Sequence, residues 1–247
     1  MPEPEQKIVL LAGATGLVGT QALSALLEVN DIARVFAATR RPLGREHPRL
    51  ANRIVQFDKI ESQLKGLTCH VAVCCLGTTR RQAGSPEEFR RVDLDCVVAF
   101  ARAAKEAQAR RFIVISSVGA DAQSTHLYLR TKGEMENAVA SLGFASTDIL
   151  QPGLLMGLRS QMRPLELGAM AVMPLVNPFL RGPREAFRSI PAKTVGRAIV
   201  GATRSGRIGV TRYTYSAIEA LARLKSVRPF VLDPRTSGNN KQRGTSR

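Results

Sequence analysis

The stretch LYLRTKGEME (127–136) places Tyr128 four residues before Lys132. Four residues make one helical turn, so on a helix the phenol and the ammonium stand side by side. A free phenol is a poor base at neutral pH, and a neighbouring cation favours its phenolate form. Upstream, FIVISSVGAD ends an apolar run with two hydroxyls, Ser116 and Ser117, the second of them eleven residues before Tyr128. Earlier still, LLAGATGLVGT sets Gly13, Gly16 and Gly19 at G-x-x-G-x-x-G spacing. Glycines let a backbone turn tightly and approach a pyrophosphate, and the start of a helix offers unpaired N–H groups and the positive end of its dipole. Thr15, Gly16, Leu17 and Val18 occupy that start. The chemistry in view is dinucleotide binding, with, further along the chain, either an acid–base pair or two side chains that only share a helix face.

The second strand indicates which dinucleotide is bound. An NAD site carries an acid at the C-terminal end of that strand to hold the ribose 2′-hydroxyl. Here Asp31 precedes the strand, and its far end reads Thr39, Arg40, Arg41. Two guanidinium groups suit a 2′-phosphate, so the expected cofactor is NADP(H).

These residues need elements to position them. Short apolar runs at 7–13, 34–40, 53–58, 70–77, 110–119 and 145–153 read as buried strands. Helical spacing covers 17–29, 85–108, 125–143, 192–206 and 215–224, the second opening on Ser85, Pro86, Glu87, Glu88, a good cap and first turn. Alternating strands and helices predict an α/β fold, a doubly wound parallel sheet of Rossmann type with right-handed crossovers. The expected unit is one domain over 1–232, with 152–232 forming a small substrate-binding part. The tail 233–247 has almost no apolar content and is expected to be a disordered basic extension.

Composition narrows the function classes. No apolar run approaches the ~18 residues that span a bilayer, and MPEPEQK lacks the chemistry of a secretory signal. The expectation is a soluble cytoplasmic protein without membrane association. Cys69, Cys74, Cys75 and Cys96 lack C-x-x-C spacing, and His47, His70 and His126 are scattered, so no metal site is expected and the thiols read as buried small hydrophobes. The net charge is +16, and residues 201–247 alone hold 10 basic and 2 acidic side chains. With no Trp and 5% aromatics not interleaved with the basic residues, stacking platforms for nucleic acid are not evident. A solvated basic surface explains the charge better than a nucleic-acid partner.

The G-x-x-G-x-x-G turn, the strand-end serines and Tyr128-x-x-x-Lys132 together resemble the short-chain dehydrogenase/reductases. CCLGTTRRQAG, RVDLDCV, SSVGAD, LYLRTKGEME and QPGLL, in that order, resemble more narrowly the Tat-interacting-protein group of atypical members, over roughly 7–224. The resemblance implies an NADPH-dependent oxidoreductase in which Tyr128 exchanges a proton with the substrate oxygen. Lys132 would bind the nicotinamide ribose, and Ser117, with Ser116 as the alternative, would hydrogen-bond the substrate. It implies that Asp58 meets the adenine, that Leu76, Gly77 and Thr78 flank the adenosine ribose, and that Pro152, Gly153 and Leu154 pass the nicotinamide. Mammalian members of the group are NADPH-binding, oxidoreductase-like regulators of partner proteins. A cofactor sensor or partner-binding regulator is therefore the second reading, beside an enzyme acting on a small carbonyl or alcohol. Where many short-chain dehydrogenases place an Asn that holds a proton-relay water, this chain has Asp93. Arg80, Arg159 and Arg163 lie in or near the expected pocket wall, where they would either face an acidic substrate or stand on the solvated surface.

Overall fold

The computed structural model describes residues 6–157, 177 and 180–224. β1 (Lys7–Ala12) leads into α1 (Leu17–Glu28), followed by β2 (Ile32–Thr39), β3 (Leu50–Ile54) and a short α2 (Ile60–Gln63). Next come β4 (Val71–Cys74), α3 (Arg80–Ala83), α4 (Pro86–Arg90), α5 (Cys96–Glu106), β5 (Arg111–Ile115), α6 (Leu127–Ala140) and β6 (Ser146–Leu150). The rest comprises β7 (Leu155–Met156), β8 (Ile190–Pro191), α7 (Ala192–Arg204), β9 (Gly209–Tyr213) and α8 (Tyr215–Arg223). Seven strands form one parallel sheet in the order β3-β2-β1-β4-β5-β6-β9, and β7 pairs with β8 in a two-stranded ribbon. The expected doubly wound α/β architecture is what the chain forms.

Successive residues of a strand face opposite sides, so each run feeds two cores. Val9 and Leu11 of β1 join Leu23, Leu26, Val195 and Ile199 under α1 and α7. Leu10 and Ala12 join Phe100, Phe112 and Val139 under α5 and α6. Helices thus cover both faces, which is why the strands read as unbroken apolar runs.

Three differences from the sequence reading have physical causes. β3 runs over 50–54 rather than 53–58, because its partner is the C-terminal part of β2, Val35 to Thr39, and an edge strand tolerates half-buried Asn52 and exposed Arg53. β9 was not expected. Gly209 and two exposed residues, Val210 and Arg212, hide its alternation, yet it pairs with β6 from Ser146 to Leu150. The Tyr213 hydroxyl donates to Asp148 Oδ1 at 2.8 Å, and Arg111 pairs with the same carboxylate. Burial pushes the Asp148 carboxyl up, with Arg111 opposing. The expected helix 85–108 is interrupted by a π-helical turn over Arg91–Asp95. The tail 233–247 lies outside the described residues.

Candidate functional site

Strand order reverses between β1 and β4, and at such a switch point the carboxyl ends of the strands leave a crevice. A cavity of about 610 Å³ occupies that place. Its wall is built from the turn after β1 (Thr15, Gly16, Leu17, Val18), the loop after β4 (Cys75 to Thr79), and Asp93, Ser116, Tyr128 and Lys132.

The glycine-rich turn has little freedom to be anything else. Gly13 adopts φ +79°, and a Cβ on it would fall 2.5 Å from the Cys75 carbonyl carbon and oxygen. A Cβ on Gly19 would lie 1.9 Å from the Gly13 oxygen. Gly16 is the N-cap of α1 and caps it with no side chain, and the first turn holds no acid. The helix thus opens on the cavity with unpaired N–H groups and the positive end of its dipole, an arrangement that suits a pyrophosphate.

On the far side, α6 carries Tyr128, Lys132 and Glu136 at four-residue steps, and so on one face. Tyr128 is 37% exposed, its ring 5.8 Å from that of Phe89. Lys132 is buried, with Nζ 2.7 Å from Asp93 Oδ1. The other Asp93 oxygen accepts the Thr78 N–H at 2.7 Å. Gly133 is set against the loop before the helix: a Cβ there would meet Ala122 N at 2.1 Å and the Asp121 carbonyl carbon at 2.3 Å.

Of the two serines, Ser116 lines the cavity, and its hydroxyl donates to buried Glu136 at 2.6 Å. Ser117 is half-buried outside the cavity wall, its hydroxyl 3.3 Å from the Val118 oxygen. Glu136 also accepts from Gln151 at 2.8 Å and Arg212 at 2.7 Å. The sequence reading missed this hub. Its signal was the same spacing, Tyr128, Lys132, Glu136, continued one turn further.

Other expected cofactor residues lie outside the cavity wall. Gly13 and Gly19 act through close backbone approach instead. Arg40 and Arg41 are exposed at the end of β2. Arg91 holds the nearby Glu88 carboxyl below its usual range, with a weaker pull from Arg40. Asp58 is exposed in a 3₁₀ turn (Phe57–Lys59) beyond the end of β3, rather than ending that strand. Pro152 accepts the Val118 N–H at 3.1 Å, joining the two loops, and Leu155 rather than Leu154 reaches the cavity. Arg81 rather than Arg80 lines it, with Gln82; Arg159 and Arg163 lie outside the described residues. Burial pushes the thiols of Cys69 and Cys74 up to about 12, and Asp31 pairs with Arg204 away from the site. Among the described residues no helix is long and apolar enough to cross a membrane, and no cluster of three metal-ligating side chains occurs.

The sequence profile of the NAD(P)H-binding family matches residues 13–162, from the glycine-rich turn past β6. The chain belongs to the NAD(P)H-binding family. Among its members, the Aspergillus fumigatus protein fmp52, mitochondrial, is 35% identical over 201 residues, 78% of this chain and 86% of its own. The rat protein HTATIP2 is 38% identical over 166 residues, 66% of this chain and 68% of its own. These relatives place the chain in the atypical short-chain dehydrogenase/reductase group, as the ordered motifs implied. The fold is shared with Bordetella bronchiseptica WbmH, solved in complex with NAD+, at TM-score 0.63 and 15% identity, over 88% of this chain and 79% of that one. The cytoplasmic expectation is overturned by the family's fungal members, whose names say mitochondrial. MPEPEQK speaks against a secretory signal alone, and mitochondrial addresses rest on different features.

Proposed function

We propose that this family member is an NADPH-dependent oxidoreductase acting on a small carbonyl or alcohol. One observation carries the reading: a single cavity joins the open N-terminus of α1 to Tyr128 and Lys132 on one face of α6. When bound, the dinucleotide would supply hydride to, or accept it from, the substrate carbon. Tyr128, partly exposed on the cavity wall, is the proton donor to the substrate oxygen and its acceptor in reverse. Lys132 holds the nicotinamide ribose. Ser116, already in the wall, competes with Ser117 for the substrate-positioning role. Arg40 and Arg41 take the 2′-phosphate and Asp58 the adenine edge. Leu76, Gly77 and Thr78 flank the adenosine ribose, and Pro152, Gly153 and Leu154 close over the nicotinamide. In this reading residues 1–232 act as one unit, with 152–232 supplying the substrate side. Arg81 makes an acidic group on the substrate welcome there.

The test is a carbonyl panel followed by NADPH absorbance. Tyr128→Phe removes one hydroxyl and keeps the ring, so NADPH binding should persist while turnover falls by about 10²-fold or more. Equal turnover in parent and variant would refute the proton-donor role.

A second reading, a cofactor sensor that regulates a protein partner with little turnover, is favoured by the serines. The Ser116 hydroxyl is given to Glu136, and Ser117 stands outside the cavity wall. Tight NADPH binding with no oxidation across the panel would select it.

A further inference from the structure

Asp93 stands where the resemblance leads one to expect an amide, and its surroundings explain what a charge does there. The π-helical turn Arg91–Asp95 adds a residue to the helical repeat between α4 and α5 and aims this side chain into the cavity wall. The side chain is 1% exposed and faces Lys132 Nζ, itself 5% exposed, across 2.7 Å. Its Oδ2 holds the Thr78 N–H, a bond an asparagine oxygen would make equally well. Oδ1 takes no aligned hydrogen bond among the described residues and meets the ammonium by charge alone. The backbone at Gly77 passes over the pair, where a Cβ would lie 3.4 Å from Asp93 Oδ1 and 3.8 Å from Lys132 Nζ. Keeping a carboxylate out of water is costly unless a cation needs it. Here the cation is the residue the proposed site uses to hold the nicotinamide ribose.

We propose that Asp93 is a positioning residue that balances the charge of Lys132, so that the cavity accepts the cationic oxidised nicotinamide as well as the neutral reduced one. The inference rests on the dinucleotide reading above and adds to it a control over which redox form is held. An unbalanced ammonium in that wall would repel the positive ring of NADP+ and leave NADPH untouched. It would also oppose the positive charge that develops as hydride leaves. The carboxylate cancels both effects.

The experiment is calorimetric titration of the full chain with NADP+ and with NADPH, at fixed ionic strength and without substrate. The readout is the ratio of the two dissociation constants, oxidised over reduced. Asp93→Asn keeps shape and the Thr78 bond, and should raise that ratio by about tenfold or more, equivalent to about 30 mV in the bound two-electron couple. Lys132→Met should lower it, and the double variant should return it towards the parent value. If Asp93→Asn weakens both forms equally, the residue is a structural tie only and the proposal falls; it falls too if the double variant does not revert. Should Asp93→Asn fail to fold, Lys132→Met decides by itself: a fall in the ratio supports the proposal, and no change or a rise overturns it. A parent protein that binds neither form refutes the dinucleotide reading, and this inference with it. Binding without turnover refutes only the catalytic part of that reading and leaves the ratio test intact.

Discussion

Gly133→Ala is the sharpest single-atom probe of how α6 is seated. The added methyl would stand 2.1 Å from Ala122 N and 2.3 Å from the Asp121 carbonyl carbon, both backbone atoms, against 3.4 Å or more in ordinary contact. The loop must withdraw by more than an ångström, and its Asp121 N–H bond to the Leu129 oxygen, 3.1 Å long, would be broken by that movement. Overpacking costs ~1–3 kcal/mol and the lost hydrogen bond ~1 kcal/mol. Alanine returns ~1 kcal/mol of helix propensity. The net is a loss of ~1–3 kcal/mol, which for a chain of this size lowers the melting temperature by roughly 2–12 °C. Thermal unfolding followed by circular dichroism measures it. Gly206→Ala, where nothing lies within 4 Å, is the control and should melt with the parent. Because Lys132 precedes Gly133, NADPH affinity should fall together with stability. A Gly133→Ala variant as stable as the parent would refute the close approach, and with it the seating of Tyr128 and Lys132.

Arg40→Glu should abolish a preference for NADPH over NADH, and equal affinities in the parent would refute the 2′-phosphate assignment. The Arg204 guanidinium, bonded to Asp31 at 2.6 and 2.8 Å, holds that carboxyl below its ordinary 3.8. A depressed acid stabilises the fold above its unfolded value and loses that contribution as pH falls through its folded one. Asp31→Asn should therefore cost ~1–2 kcal/mol at pH 7, and the gap between the two melting curves should close below pH 3.8. With their thiols pushed up to about 12, Cys69 and Cys74 should resist iodoacetamide at pH 8 until the protein unfolds. Rapid modification of the native protein at either residue, mapped by mass spectrometry, would contradict their burial.

What was legible in the sequence was local. The glycine-rich turn, its strand and its helix are contiguous, so spacing alone defined them, and Tyr128 and Lys132 share a face because the helical repeat dictates it. The parallel sheet followed from the alternation of runs. Choices made by tertiary geometry stayed hidden. Which of Ser116 and Ser117 enters the cavity depends on how the chain leaves β5, and adjacent strand residues always point apart. The π turn that aims Asp93 at Lys132 has no pattern that its five residues announce. β9 is half exposed, and only its pairing with β6 makes it a strand.

The order of the sheet also bears on how the protein is made. α7, β9 and α8 are the last described elements of the chain, yet α7 covers Val9 and Leu11 of the first strand. While synthesis proceeds at ~5–20 residues per second, the face of β1 that α1 covers in part waits for the rest of its cover until the chain has passed residue 204. A ribosome-bound chain ending before Ala192 would present Val9, Leu11, Ile113 and Leu150 to solvent without that cover. Such a chain invites chaperones, and a premature stop ahead of residue 192 would leave an apolar, aggregation-prone face rather than a merely shorter protein.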